Sequence, residues 1–122
     1  MKWRNVAKIE MPLPEKPSDP IEIALLAAEL DNKTPEIDLH ELNTRIAIDA
    51  LGNFLNKEFV GVPRRDVKVV KVIHGRGSGV LQGLVADYLN KAKKFVVRFR
   101  TSSDPYEANG VTYVVLAPNK KY

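Results

Sequence analysis

Hydrophobic residues recur along the chain with two different spacings. Alternation with a period of two is typical of strands, whereas apolar positions three and four residues apart are typical of helices. From residue 36 the order is strand, helix, strand, helix, strand, strand. Because strands that alternate with helices pair in parallel through crossovers, this order predicts a two-layer α+β fold, with two helices packed on a mixed four-stranded sheet. The segments are "EIDLH", "NTRIAIDALGNFLNKEF", "VKVVKVI", "VLQGLVADYLNKA", "FVVRFR" and "GVTYVVLA".

The two helices of this region each have an apolar stripe that predicts the face turned to the sheet. Gly83 interrupts the second helix, where glycine costs about 1 kcal/mol relative to alanine. We therefore expect Gly83 to permit close packing on the sheet. The predicted buried positions are Ile46, Ala50, Leu51, Phe54 and Leu55 in the first helix, and Val80, Leu81, Leu84, Val85, Tyr88 and Leu89 in the second.

The composition changes near residue 35, which predicts an N-terminal extension over residues 1–34 and a domain over residues 35–122. Five of the 8 prolines lie in the first 35 residues, and "MPLPEKPSDP" is typical of an extended connector. The following "DPIEIALLAAEL" predicts a short helix capped by Asp19. Its apolar stripe either docks on the chain's own domain or recruits another protein. The stripe consists of Ile23, Leu26, Ala27 and Leu30.

Composition excludes several classes of protein. Hydrophobic residues make up 44% of the 122 residues and charged residues 28%, as in ordinary soluble domains. The absence of cysteine rules out a disulfide framework, thiolate zinc sites and a cysteine nucleophile. A chain without cysteine fits a reducing, cytoplasmic location. No apolar run approaches the roughly 18 residues that would span a bilayer, so we expect no membrane association.

The net charge of +4 is unevenly distributed. Residues 1–34 contain 5 Lys/Arg and 6 Asp/Glu, whereas residues 35–122 contain 14 and 9, so the second part carries the whole basic surplus. Such a surplus suits a surface that contacts phosphates, although many proteins that bind no nucleic acid share it.

The junction "VIHGRGSG", residues 72–79, joins a strand to a helix with more glycine than a simple connection needs. The amides at the start of a helix lack internal partners and attract anions. Gly75, Gly77 and Gly79 would allow positive φ and a close approach, Arg76 would add a fork of donors, and Ser78 would cap the helix or donate its hydroxyl. These residues predict a phosphate cradle. Their spacing matches neither a dinucleotide fingerprint nor a Walker loop.

The chain's two histidines, His40 and His74, both come at predicted strand ends. Asp38 shares a strand face with His40, and the carboxyl ends of parallel strands meet at one edge of a sheet. Two imidazoles and a carboxylate beside a phosphate cradle suit general acid and base work on a phosphodiester. The alternative is that each histidine is a satisfied core or surface residue.

Further basic residues would hold the flanking nucleic-acid backbone without reading sequence, or would simply be solvated surface charges. Aromatic residues make up only 7% of the chain and show no spaced stacking platform, which makes a single-strand binder of the stacking kind the weaker expectation. The basic candidates are Lys71, Arg98, Arg100, Lys91, Lys93 and Lys94.

At these residues the sequence resembles the Smr (small MutS-related) domain family. The family's L-D-x-H signature is similar to "IDLH" at residues 37–40, and its H-G-x-G signature to "HGRG" at residues 74–77. Its closing G-x-T-x-V-x-L strand is similar to residues 110–116. The resemblance implies a fold like the carboxyl-terminal domain of translation initiation factor three, and DNA-nicking or RNA-cleaving activity.

The resemblance also implies residue roles. Asp38 and His40 would be the catalytic pair, and residues 74–77 the nucleic-acid-binding loop, with His74 assisting catalysis. Glu41 stands where the family usually has glycine, so its carboxylate would either repel phosphates or join Asp38 in holding a divalent metal such as Mg or Mn. The predicted function is an Smr-type endonuclease acting on DNA or RNA. The alternative is a non-catalytic module that binds nucleic-acid structure or a protein partner.

Overall fold

The computed structural model describes residues 19–63 and 66–117. The predicted βαβαββ order is confirmed, and a helix precedes it as expected; the predicted proline-rich connector before residue 19 lies outside the described residues. Within these ranges no helix has the length and apolar character needed to cross a membrane. The elements are α1 (Pro20–Leu30), β1 (Glu36–Asp38), α2 (Thr44–Val60), β2 (Lys68–Ile73), α3 (Val80–Lys91), β3 (Val96–Thr101) and β4 (Val111–Leu116).

The four strands form one mixed sheet, as predicted, and their order in it is β1-β2-β4-β3. β1 and β2 are parallel, and Asp38 at the end of β1 lies opposite Ile73 at the end of β2. β4 lies between β2 and β3 and is antiparallel to both. The loops that leave β1 and β2 therefore emerge side by side at the same edge of the sheet.

The main core lies between the sheet and the helices α2 and α3. The buried residues of α2 are Ala47, Leu51 and Leu55, so Ile46, predicted to be buried, is turned about 100° away and is exposed. The same rotation explains α3. Val85 and Leu89 are buried there, whereas Leu84, one position before Val85, and Val80, four positions before Leu84 on the same face, are exposed against prediction.

The prediction for Gly83 was wrong, since it is exposed and a methyl group added there would meet nothing within 4 Å. The close contact between helices occurs instead at Gly52 of α2. A Cβ at Gly52 would lie 2.9 Å from the hydroxyl oxygen of Tyr88 on α3. Glycine at position 52 thus lets the two helices approach each other.

Helix α1 packs on the opposite face of the sheet. Leu25 is fully buried against Val69, Tyr113 and Val115, with Ile21, Ala24 and Ala28 beside it. The helix thus docks on its own chain, but through a different face from the predicted stripe, because Ile23, Leu26 and Leu30 are exposed. β4 is consequently buried along its whole length, which suits the nearly continuous apolar run "VTYVVL" better than an alternating pattern.

Ion pairs add charge complementarity to this apolar contact. Arg100 of β3 donates to Glu29 at 2.6 Å and to Glu22 at 3.3 Å, and Arg98 lies 3.4 Å from Asp19, the residue that caps α1. Acidic residues of the N-terminal extension therefore pair with two of the basic residues of the domain, at the interface between α1 and the sheet.

Candidate active site

The two predicted motifs meet where β1 and β2 end. The amide of Leu39 donates to the carbonyl of Ile73 at 2.7 Å, which extends the parallel pairing into the loop. Gly75 has φ +81°, and a Cβ placed on it would lie 2.9 Å from the Cβ of His40. A side chain at position 75 would therefore collide with His40. The glycine allows the loop after β2 to lie directly against the histidine that follows β1.

Asp38 and His40 form a hydrogen-bonded pair at this junction. β1 ends at Asp38, and the turn that follows brings the Nδ1 atom of His40 to 2.6 Å from Asp38 Oδ1. The same oxygen accepts the backbone N–H of His40 at 3.1 Å, which fixes the turn. The contact thus comes from a turn and not from a shared strand face. About half of each side chain is exposed, so the imidazole is accessible to a substrate.

The pair shifts the pKa of both partners. The hydrogen bond from His40 holds the pKa of Asp38 below its usual value. The hydrogen bond and the negative charge of Asp38 raise the pKa of His40 above its usual value. Asp38 therefore orients the ring through Nδ1, so that Nε2 is the nitrogen that does not contact Asp38.

Glu41 has an unusual conformation next to this ring. Its φ of +78° makes it the only non-glycine residue with positive φ among residues 19–63 and 66–117. Left-handed backbone is the conformation that glycine adopts at no steric cost, so the glycine that the resemblance implies at position 41 would fit this backbone. The Glu41 carboxylate lies 3.5 Å from Nε2 of His40, and its charge also raises the pKa of that ring.

His74 has a different environment from His40. It is only 4% exposed, its Nε2 lies 2.9 Å from the hydroxyl of Thr112, and its Nδ1 lies 3.2 Å from the carbonyl of Gly75. Burial lowers the pKa of His74, which favours a neutral ring with both nitrogens engaged. This placement does not favour the proton transfer expected for His74 and suits a residue that holds the glycine loop in position.

The loop between β3 and β4 supports the glycine junction from the other side. The carbonyl of Gly110 accepts the amides of both His74 and Gly75, at 2.9 and 3.0 Å. The side chain of Arg76 lies over Gly110 and donates from Nη2 to the carbonyl of Tyr106 at 2.6 Å. In the sequence, Gly110 appeared only as part of a motif. The contact of Arg76 with the loop between β3 and β4 could not be predicted, because it depends on β4 lying next to β2 in the sheet.

The remainder of the junction is exposed at the start of α3. Gly79 has φ +89° and precedes the helix without a side-chain cap, while Ser78 Oγ accepts the amide of Val80 at 3.3 Å. The expectation of positive φ thus holds for Gly75 and Gly79 but not for Gly77. Residues 76–80 are exposed, so an anion can reach the start of α3.

Three predicted phosphate-binding residues are not part of this site. Lys71 is largely buried and donates to Glu107 at 3.0 Å, with Glu36 at 3.9 Å. Arg98 and Arg100 are paired with the acidic residues of α1 on the face of the sheet that α1 covers. These contacts give all three residues structural roles; Lys91, Lys93 and Lys94 of the predicted basic patch are exposed near the end of α3.

Asp38 contacts Nδ1 of the His40 ring and Glu41 lies near Nε2; holding a metal ion is one of the two roles that the sequence leaves open for Glu41 with Asp38. Within the part of the chain that is described, no group of three or more His, Cys, Asp or Glu side chains lies close enough together to hold a metal ion. The clearest chemical feature of the site is therefore the imidazole and carboxylate pair next to a glycine-rich loop.

The fold and this site define an α+β domain with a histidine–aspartate pair at the carboxyl edge of two parallel strands. A family model described as "Smr domain" matches residues 37–117, and the chain belongs to this family. The family is known for nuclease and nucleic-acid-binding roles. The chain is similar to the crystal structure of the Smr domain of Thermus thermophilus MutS2, with 26% identity and a TM-score of 0.60. That match covers 70% of this chain and all of the other. A search of curated proteins finds no match.

The two histidines have opposite environments, which predicts that the pKa of His40 is higher than the pKa of His74. His40 should titrate above the usual value of about 6.5, because it is paired with Asp38, and His74 below that value, because it is buried. NMR titration of the two imidazoles measures both pKa values. In the Asp38→Asn variant the pKa of His40 should fall while that of His74 stays the same. Equal pKa values in the parent protein would contradict the assigned environments.

The conformation of Glu41 predicts that Glu41→Gly stabilises the protein by about 1 kcal/mol, because a left-handed residue with a Cβ costs roughly 1–2 kcal/mol that glycine avoids. Glu41→Ala is the matched control, since it removes the same carboxylate but keeps the Cβ. Urea denaturation gives the free energy of unfolding for the three proteins. If the glycine variant were no more stable than the alanine variant, the strain assigned to position 41 would be wrong.

Proposed function

We propose that this chain is an Smr-type endonuclease that hydrolyses a phosphodiester bond in DNA or RNA. The observation that carries the proposal is the contact between the two motifs, which puts the Asp38–His40 pair directly against Gly75 of the glycine-rich loop. A proton-transferring group and a set of phosphate-binding donors are thereby adjacent. General acid or base catalysis and phosphate binding are what hydrolysis of a phosphodiester requires.

In the proposed reaction His40 acts through Nε2. The ring accepts a proton from a water molecule while the water oxygen forms a bond to phosphorus. The bond between phosphorus and the leaving oxygen breaks, its electron pair stays on that oxygen, and the oxygen takes a proton. Asp38 keeps Nδ1 protonated, holds the ring in one orientation and stabilises the imidazolium that forms. The raised pKa of His40 makes its ring a stronger base for the first step, and the imidazolium then gives that proton to the leaving oxygen.

The glycine loop binds the phosphate in this proposal. The amides of the exposed residues 77–79 and the guanidinium of Arg76 supply donors for the phosphate oxygens. Arg76 uses one nitrogen on the Tyr106 carbonyl, which positions its side chain beside the loop. His74 acts as a positioning residue, since it holds Thr112 and the carbonyl of Gly75 from inside the core.

The alternative is a domain that binds nucleic acid without cleaving it, and Glu41 is the observation that favours it. The Glu41 carboxylate lies 3.5 Å from the nitrogen that the nuclease mechanism needs, and it adds negative charge where a phosphate would approach. A protein partner for α1 also remains a proposal. The stripe of Ile23, Leu26 and Leu30 that points away from the sheet would be its contact surface.

Cleavage is tested by incubating the protein with supercoiled plasmid and with structured RNA, in EDTA and with Mg or Mn supplied. We expect cleavage by the parent protein and a loss of about 10²–10⁴-fold in rate for His40→Ala, the usual contribution of a proton-transferring side chain. Binding of the same substrates should persist in this variant. Arg76→Ala should instead weaken binding.

Asp87→Asn is the matched control for Asp38→Asn. Asp87 is an exposed carboxylate on α3 whose partner is Lys91, so its loss should leave cleavage unchanged, whereas Asp38→Asn should reduce it. Salt-dependent binding without cleavage under every metal condition would reject the nuclease and support the binding module. Equal activity of His40→Ala and the parent would remove histidine from the mechanism.

A further inference from the structure

We propose that Tyr106 is a stacking platform for an unpaired base and that the site therefore prefers single-stranded or locally opened nucleic acid. This inference rests on the proposed nucleic-acid function and adds a substrate preference to it. Tyr106 is 85% exposed, and among residues 19–63 and 66–117 it is the only aromatic residue with an exposed side chain. It lies in the segment between β3 and β4, whose sequence "SSDPYEANG" indicates only turns.

The segment that carries Tyr106 is held in place by buried and partly buried polar contacts. Glu107 accepts from Ser102 Oγ at 2.9 Å, from Lys71 at 3.0 Å and from the hydroxyl of Tyr113 at 3.4 Å. The amide of Tyr106 itself donates to Asp104 at 2.9 Å. The backbone on both sides of the ring is therefore fixed, while the ring projects into solvent.

The same backbone places Tyr106 next to the glycine-rich loop that the proposed function assigns to phosphate binding. The carbonyl of Tyr106 accepts from Arg76 Nη2 at 2.6 Å, and Gly110, at the end of the segment, binds the amides of His74 and Gly75. Gly75 in turn contacts His40. The Asp38–His40 pair, the glycine-rich loop with Arg76 and the backbone of Tyr106 are thus joined by successive contacts.

An exposed aromatic ring at such a position suits a base more than a duplex. Bases in a duplex are stacked on each other and present only their edges, whereas an unpaired base offers its face to an aromatic side chain. A ring on a fixed backbone also loses little conformational freedom when a base stacks on it. Arg76 would bind the phosphate next to that base, which gives the ring and the guanidinium complementary roles.

Binding of labelled oligonucleotides tests this inference through fluorescence anisotropy. The probes are a single-stranded oligonucleotide and the blunt duplex of the same sequence, each as DNA and as RNA. Tyr106→Ala should weaken single-strand binding by roughly 5- to 150-fold, the usual effect of losing one base-stacking ring, and should leave duplex binding unchanged. Tyr106→Phe and Tyr106→Trp should bind single strands like the parent, because stacking requires the ring and not the hydroxyl.

Asn109→Ala is the matched control, since Asn109 is exposed in the same segment and has no aromatic ring. Unchanged single-strand binding by Tyr106→Ala, or an equal loss on single strands and duplexes, would overturn the stacking role while leaving the proposed function intact. If the parent bound neither kind of probe, the proposed function would fail together with this inference. Because the ring is exposed, Tyr106→Ala should unfold at the same urea concentration as the parent.

Discussion

The site depends on the parallel pairing of β1 with β2 and its continuation into the loops beyond them. The hydrogen bond from Leu39 to Ile73 brings the two chain segments together after the strands end. Gly75 then adopts φ +81° against the Cβ of His40, where no other side chain fits. Without that contact, the Asp38–His40 pair and the glycine-rich loop would be two separate features. With it, the imidazole and carboxylate pair lies next to the glycine-rich loop, which is the arrangement that the proposed function needs.

The sequence predicted the order of the elements, the mixed sheet and the convergence of the two motifs. These follow from local patterns: β-branched strands, helical stripes and glycines at a strand-to-helix junction. The pairing of Asp38 with His40 was also predictable, although the contact is made by a turn. Glu41 stood out as a departure from the glycine that the resemblance implies, and its left-handed backbone is one that glycine would fit.

The errors arose where long-range packing decides the outcome. A helical stripe does not distinguish two faces that are both apolar, so the docking face of α1 was assigned to Ile23, Leu26 and Leu30 when Ile21, Ala24, Leu25 and Ala28 make the contact. Arg98 and Arg100 pair with acidic residues about 70–80 positions earlier in the chain, which no local pattern reveals. His74 continues the alternating pattern of buried residues in β2 and is buried as they are. Although both histidines belong to predicted motifs, only His40 is exposed, so the two do not share a role.

The most direct measurement of the central claim is plasmid nicking by Gly75→Ala, with Gly77→Ala as its control. A methyl group at position 75 would lie 2.9 Å from the Cβ of His40 and would require φ +81°, whereas a methyl group at position 77 would meet nothing within 4 Å. If the contact between the two loops assembles the site, Gly75→Ala loses nicking while Gly77→Ala, which is equally conservative, retains it. Full nicking activity in Gly75→Ala, or equal loss in both variants, would contradict the account.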